Sequence, residues 1–449
     1  MSTHEAVSPP DVPMRRVALA SCVGTTIEFY DFFIYGTAAA LVFPKVFFPA
    51  LGPTAGTIAS FATFAVAFVA RPVGAVLFGH FGDRIGRKRT LISTLLLMGV
   101  ATMLIGLLPG ADTIGVAAPI ILVILRFAQG FAVGGEWAGA TLLTAEYAPK
   151  AKRGLYAVFP QLGPAFAFAL SSATFLVTGL TLGDTDQAFL DYGWRVPFLL
   201  SVVLVGVGLY VRVTIEETPV FRQAQQQRAA RADAGRTPFL EAIRRQPKEV
   251  LLSAGSLTML FAFFYMGTAY LTSYGTNPNG TGLSRPVVLT LGIAAAVVFG
   301  LVIVAAGIWS DRIGRRGVIM TSCALGAVWA LVLFPLLDTG SAVAFGIGLT
   351  VTLAIFGVSY GPAGAFLPEL FETRYRYTGA GMGYNLAGVL GGAVPPLLAP
   401  QLAASFGSIA IGVMLAALAV LSFFCTRALA ETKDRRIQDE PADAAVAAG

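Results

Sequence analysis

The sequence predicts an all-α integral membrane protein, with twelve transmembrane helices in two six-helix bundles related by a pseudo-two-fold axis. Three observations predict it. Apolar stretches of roughly 20 residues, the length that crosses a bilayer, recur along the whole chain. Composition agrees: 56% of residues are hydrophobic, 12% are charged and the mean hydropathy is +0.73, against about 25% charged in a typical soluble domain. Finally, one basic signature occurs twice, half a chain apart, each time between two apolar runs: Gly79-His-Phe-Gly-Asp83-Arg84-Ile-Gly86-Arg87-Lys88 and Gly307-Ile-Trp-Ser-Asp311-Arg312-Ile-Gly314-Arg315-Arg316. A duplicated turn of this kind implies two similar halves.

Taken in order, the spans are expected near 17–43, 55–80, 90–109, 116–145, 155–180 and 195–213 in the first half. In the second they fall near 250–274, 286–309, 318–337, 341–366, 379–403 and 406–426. The organisation follows as a first bundle at 1–213, a linker at 214–249, a second bundle at 250–426 and a tail at 427–449. The linker is rich in Gln, Arg, Ala and Glu, and the tail from Glu431 onward reads as disordered. Of 31 Lys and Arg, only Lys45, Arg195 and Arg285 fall in the loops of one side, and Arg71 and Arg126 lie inside spans. The other 26 sit in the termini, linker and loops of the opposite side, which the positive-inside rule makes cytoplasmic. Both termini are thus expected in the cytoplasm and the chain in the cell (inner) membrane. The net charge of +6 is an orientation signal and gives no support to nucleic-acid binding.

Met1–Val12 lacks the apolar core of a cleavable leader, so the first span is expected to be retained. Cys22, Cys323 and Cys425 are scattered through apolar stretches and suggest neither a disulfide framework nor a metal site. No cofactor is implied, and an enzyme is disfavoured by the lack of a Ser/His pair or a nucleotide loop.

Further pairs support the duplication. Glu146 and Arg153 after span four match Glu369 and Arg376 after span ten, and Glu217-Thr218-Pro219 after span six matches Glu431-Thr432-Lys433 after span twelve. On these features the chain resembles the major facilitator superfamily over essentially its full length. A narrower resemblance is to the metabolite:proton symporter family, which includes shikimate, 2-oxoglutarate, citrate and proline/betaine transporters. It rests on Gly24-Thr-Thr-Ile-Glu28-Phe-Tyr30-Asp31-Phe-Phe-Ile-Tyr35-Gly36 and Arg126-Phe-Ala-Gln129-Gly130-Phe-Ala-Val-Gly134-Gly135-Glu136-Trp137. Glu217-Thr218-Pro219-Val-Phe221, and Arg376-Tyr377-Thr378-Gly379 through Gly383-Tyr384-Asn385, also fit. The resemblance implies a secondary active transporter that imports a small metabolite with protons by alternating access, and such a two-bundle protein can work as a monomer.

Ionisable side chains at membrane depth are expensive and so have a partner or a task. Gly24, Glu28, Asp31 and Tyr35 share one face of span one, and Arg126, Gln129, Val133, Glu136 and Ala140 share one face of span four. Glu28, Asp31 and Glu136 are therefore the proton-coupling candidates. Arg126 is expected to pair with Glu28 or Asp31 in one state and to grip an anionic substrate group in another; a permanent structural clamp is the alternative. Arg71 either faces the cavity as a second anion contact or extends toward the inner surface. Gln129, Tyr35, Gln161, Tyr265, Tyr360, Tyr384 and Asn385 complete the substrate-binding candidates, with packing as the plainer reading of each aromatic. His4 lies in the N-terminal tail and His80 beside the cytoplasmic turn, which excludes a mid-membrane histidine relay.

The repeated turns read as gating elements. Asp83 and Asp311 are expected to accept hydrogen bonds from helix N-termini or arginines. Arg84, Arg87, Arg312 and Arg315 are expected as partners across the bundles, with Gly79, Gly86 and Gly314 shaping the turns. An organic anion is the favoured substrate, because of Arg126 and Arg71. A zwitterionic osmolyte such as proline or betaine and a non-transporting nutrient sensor are the alternatives, and the short tail without heptads disfavours both. Gly163-Pro164 lacks the flanking glycines of a drug-exporter motif.

Overall fold

A computed structural model describes residues 14–85, 87–134, 153–182, 186–214, 244–371 and 376–433; at 14–18, 20, 79–85, 87–89, 91, 153, 186, 212, 214 and 377 it describes the backbone alone. Twelve long helices run through these residues. The first half contains α1 (Met14–Leu41), α2 (Gly52–Ile85), α3 (Arg87–Leu107), α4 (Ala117–Val133), α5 (Arg153–Thr181) and α6 (Arg195–Thr214). The second half begins with α7 (Pro247–Tyr265), which continues through a π-helical turn at Met266–Tyr270 into Leu271–Thr276. It proceeds with α8 (Arg285–Ile313), α9 (Arg315–Leu337) and α10 (Ala342–Leu370). Helix α11 (Arg376–Ala387) passes through a π-helical turn at Gly388–Ala393 into Val394–Phe406, and α12 (Ile409–Ala428) closes the bundle.

Each helix overlaps its predicted span. Nine helical stretches among the described residues are long and apolar enough to cross a membrane on their own; α1, which carries Glu28 and Asp31, is not one of them. The far end of predicted span four and nearly all of the expected linker lie outside the described residues. Helix α7 starts within the expected linker, and α12 runs two residues past the expected end of the second bundle. Membrane-facing sides stay apolar: Val203, Leu301, Val328 and Phe424 are exposed side chains of this kind.

The halves meet through two equivalent contacts. Helix α5 packs on α8, and α11 packs on α2, so exchanging the halves maps one pair onto the other. Between them α1 lies against the π-turn of α7. Prolines inside α2, α5 and α10 remove backbone donors, and neighbours serve the carbonyls this exposes. Thr25 Oγ1 on α1, for instance, donates to the Pro160 carbonyl on α5 at 2.9 Å. Within the first half α2 and α4 touch backbone to backbone. A Cβ at Gly130 would sit 2.3 Å from the Ala67 carbonyl oxygen, and one at Gly134 would sit 2.0 Å from that of Arg71. Only glycine fits there, and this crossing brings Arg71 and Arg126 to one level.

Candidate functional site

Where the bundles meet at mid-depth, two arginines are buried among aromatic rings. The Arg126 guanidinium carbon lies 4.1 Å from the Phe32 ring centroid, 3.9 Å from Tyr35 and 5.1 Å from Phe64. That of Arg71 lies 4.5 Å from the same Phe32 ring and 5.0 Å from Phe68. Arg71 is 4% exposed and Arg126 1% exposed. Arg71 therefore turns inward, which removes the surface-seeking alternative. Ring faces offset part of the loss of hydration of a guanidinium, by about 0.5–2 kcal/mol each. They leave its N–H groups unserved. Arg71 Nε and Arg126 Nε and Nη2 have no hydrogen-bond partner among the described residues.

Arg126 makes no direct ion pair with Asp31 here. A chain of hydrogen bonds lies between them instead. Arg126 Nη1 donates to Gln129 Oε1 at 3.0 Å, and Gln129 Nε2 donates to Thr102 Oγ1 at 2.6 Å. Thr102 Oγ1 in turn lies 3.0 Å from Asp31 Oδ2. The i, i+3 spacing of Arg126 and Gln129 puts both on the inner face of α4, and α3 supplies Thr102 from the side. Asp31 Oδ1 has no partner among the described residues. Tyr35 is held under Arg126 by a 2.7 Å hydrogen bond from its hydroxyl to Thr63 Oγ1 on α2.

Glu28, one turn before Asp31, lines a narrow cleft between the halves with Arg71, Val133, Gly134, Tyr384 and Asn385. Its volume of ≈ 10 Å³ holds about one water molecule. Asn385 Nδ2 crosses the cleft to the Gly134 carbonyl at 3.2 Å, and Gln161 Nε2 crosses from α5 to the Tyr360 carbonyl at 3.0 Å. Tyr265 packs on Phe68 with centroids 4.8 Å apart, its hydroxyl beside Arg71 without a well-formed hydrogen bond. Tyr360 stacks on Phe356 at 4.8 Å and Tyr384 meets Phe261 at 4.7 Å. Predicted residues from both halves thus converge on one closed site. Glu136 lies outside the described residues.

The face carrying the start of α1 and the end of α12 (the terminal face) is closed by Asp311. Its Oδ1 accepts from the Gly154 N–H at 2.9 Å and its Oδ2 from the Leu155 N–H at 3.2 Å, both at the start of α5 in the other half. An acceptor at a helix N-terminus meets unpaired donors and the positive end of the helix dipole. Arg315, expected to bond across the bundles, stays within its own half. It contacts Asp311 at 2.6 Å, Ser310 Oγ at 2.9 Å and Glu369 at 3.6 Å. Only four positions separate Arg315 from Asp311, across the break at Gly314, so the local pairing wins over the distant one. Gly314 has φ +103°, a conformation open to glycine.

The residues just after α12 are ordered, contrary to the disorder expected from Glu431 onward. Glu431 accepts from the N–H groups of Arg315 and Arg316 at 2.8 and 3.1 Å, capping α9. Thr432 Oγ1 donates to Glu369 at 2.7 Å, and Lys433 Nζ donates to the Arg312 carbonyl at 2.6 Å. In the first half Gly79, Asp83 and Arg84 fall in the last turns of α2 and Arg87 opens α3, but the side chains of 79–89 and all of Gly86 lie outside the description. On the opposite face Arg285 of α8 lies 3.7 Å over the Phe189 ring of the first half. The two halves are therefore bridged at both faces among the described residues.

Sequence reasoning missed Thr102, Phe32, Phe64 and Phe68. A threonine or phenylalanine in an apolar span carries no charge signal, and only the three-dimensional contacts single these out.

Comparison with known proteins agrees with this architecture. The family model for "Sugar (and other) transporter" matches residues 17–250 and 243–442. An inner membrane metabolite transport protein of Escherichia coli (strain K12), YhjE, is 44% identical over 97% of this chain and 98% of its own. The shikimate transporter of the same organism is 42% identical, covering 87% of this chain and 88% of its own. Its proline/betaine transporter is 32% identical, covering 95% and 86%. Among solved structures a D-xylose-proton symporter superposes with TM-score 0.74 at 17% identity, over 94% of this chain and 98% of that one. That likeness establishes the twelve-helix, two-bundle major facilitator fold. The chain belongs to the sugar (and other) transporter family and is a membrane transporter, not an enzyme.

Proposed function

We propose that this protein imports a small organic anion, most simply a carboxylate, together with protons, by alternating access across the cell membrane. The observation that carries this reading is the pair of buried arginines, of which Arg71 Nε and Arg126 Nε and Nη2 have no hydrogen-bond partner among the described residues. An unserved buried donor costs about 1–3 kcal/mol, and a carboxylate entering between Arg71 and Arg126 would satisfy several at once. Gln129, Gln161, Asn385, Tyr35, Tyr265, Tyr360 and Tyr384 are placed to contact the rest of the substrate. Glu28 and Asp31, with Glu136 from the sequence alone, are the proton-coupling candidates.

A zwitterion with a quaternary ammonium group would need open aromatic faces. The faces of Phe32, Tyr35, Phe64 and Phe68 already lie against guanidinium groups, which favours the anion over betaine. Asp311, Arg312, Gly314 and Arg315, with their counterparts Gly79, Asp83, Arg84, Gly86 and Arg87, serve as the gate of the terminal face. That face is cytoplasmic in this reading, and the transporter acts as a monomer.

Proteoliposome uptake of radiolabelled shikimate, dicarboxylates, citrate, proline and betaine, under an imposed inward proton gradient, tests the proposal. Accumulation of a carboxylate that a protonophore abolishes supports it. Equilibration without accumulation contradicts proton coupling, and accumulation of betaine or proline alone contradicts the anion assignment.

A further inference from the structure

Thr102 holds a place in the site that no charge pattern announces. It is fully buried on α3, and its hydroxyl sits within hydrogen-bond distance of three groups. It receives a hydrogen bond from Gln129 Nε2 at 2.6 Å. Its single proton has two acceptors to choose between, Asp31 Oδ2 at 3.0 Å and the Met98 carbonyl of its own helix at 2.9 Å. Thr102 is also the only described side chain that donates to Asp31, whose second oxygen has no partner among the described residues.

We propose that Thr102 is a positioning residue for proton coupling, a hydroxyl that reverses its hydrogen bond so that Asp31 keeps a partner both with and without its proton. With Asp31 ionised, the Thr102 O–H donates to Oδ2 and its oxygen accepts from Gln129. With the proton on Oδ2, that new O–H donates to Thr102 Oγ1. The Thr102 proton then turns to the Met98 carbonyl, and the two lone pairs of Oγ1 accept from Asp31 and Gln129. Donors and acceptors balance in both states, and no heavy atom has to move. A hydroxyl is the smallest side-chain group able to do this, because it both donates and accepts around a freely turning O–H. A buried carboxyl lacking such a neighbour would leave a polar atom unpaired in one of its two states.

The charged groups facing Asp31 are Arg126 on α4 and, beyond it, Arg71 on α2, with Glu28 one turn earlier on α1. Gln129 joins Thr102 to Arg126, and because its bond to Oγ1 is kept in both states, the arginine stays tethered whether or not Asp31 holds its proton. A plain structural role for Thr102, as a threonine bonded back to its own helix, would need the Met98 contact alone.

The inference rests on the reading of Asp31 as a proton carrier. Its test is therefore made on proton binding without substrate, so that failure of transport and failure of this device are separate results. Infrared difference spectra of the purified full-length chain between alkaline and acidic buffer should contain a protonated-carboxyl band that Asp31→Asn removes. In Thr102→Val, which keeps the shape and deletes the hydroxyl, that band should shift because the Asp31 O–H has lost its acceptor. Thr102→Ser should restore it. In proteoliposomes, proton-driven accumulation of radiolabelled shikimate should fall about tenfold in Thr102→Val, the scale of one hydrogen bond to a charged group. Exchange of shikimate across the same membrane, which needs no net proton movement, should fall less than accumulation does, and Thr102→Ser should return accumulation to the wild-type level.

A band unchanged by Thr102→Val overturns the proposal, as does equal loss of accumulation and exchange. A spectrum identical in wild type and Asp31→Asn overturns the proton-carrier reading beneath it. Should Thr102→Val fail to reach the membrane, Thr102→Ala and Thr102→Ser at matched expression decide the point: loss of the band position in both overturns the role of the hydroxyl.

Discussion

Asp311→Asn should release the start of α5 from the end of α8. The aspartate accepts from Gly154 N at 2.9 Å and Leu155 N at 3.2 Å across the bundles, and from Arg315 within its own half. An asparagine keeps one acceptor oxygen and turns an NH2 group toward the other N–H. The Arg315 contact lies within one half, so taking it as unchanged on opening removes it from the comparison. What remains is the loss of one hydrogen bond to a charged group and of the charge at the helix N-terminus. With the side chain 13% exposed, screening trims this to about 2 kcal/mol. The ratio of open to closed terminal face should then rise roughly 30-fold. Spin labels on the terminal-face ends of α5 and α8 report it, as growth of a longer-distance population in pulsed dipolar spectra. Distance distributions identical in wild type and Asp311→Asn would refute the latch.

Other substitutions probe separate parts of the account. Gly154→Val places a Cβ 2.7 Å from both Asp311 Oδ1 and the Gly307 carbonyl, so it should open the same face, and the same label pair reads it. Arg285→Ala removes the ring contact with Phe189 on the opposite face; cysteine-reagent labelling from that side should increase while the terminal-face distances stay put. Gly130→Ala forces a Cβ to within 2.3 Å of the Ala67 carbonyl and should destabilise the protein by about 1–3 kcal/mol, seen as a lower Tm in detergent. Glu431→Ala removes the cap of α9 and should cost about 1 kcal/mol, measured as faster hydrogen exchange at Arg315 and Arg316.

The spans were legible because a bilayer demands long apolar helices, and the duplicated turn revealed two halves before any contact was known. Arg126, Gln129, Glu28 and Asp31 stood out for a related reason: charge and amide groups at membrane depth are expensive, and helical spacing put each set on one face. The link between the two sets was not legible. Thr102 lies on α3, which carries no charge at that level, and threonine occurs in apolar helices without a task. The partner of Arg315 was misread because a sequence cannot rank a neighbour one turn away against one across a bundle interface. Glu431 was taken for part of a polar tail; its role depends on the start of α9, more than a hundred positions earlier in the chain.

The most direct test of the central claim compares Arg126→Gln with wild type for thermal stabilisation by the carboxylate that wild type accumulates. Glutamine keeps a polar side chain at the site and removes the charged fork. The account predicts a folded variant whose Tm no longer rises with that anion and which does not take it up. Stabilisation and uptake equal to wild type would contradict it.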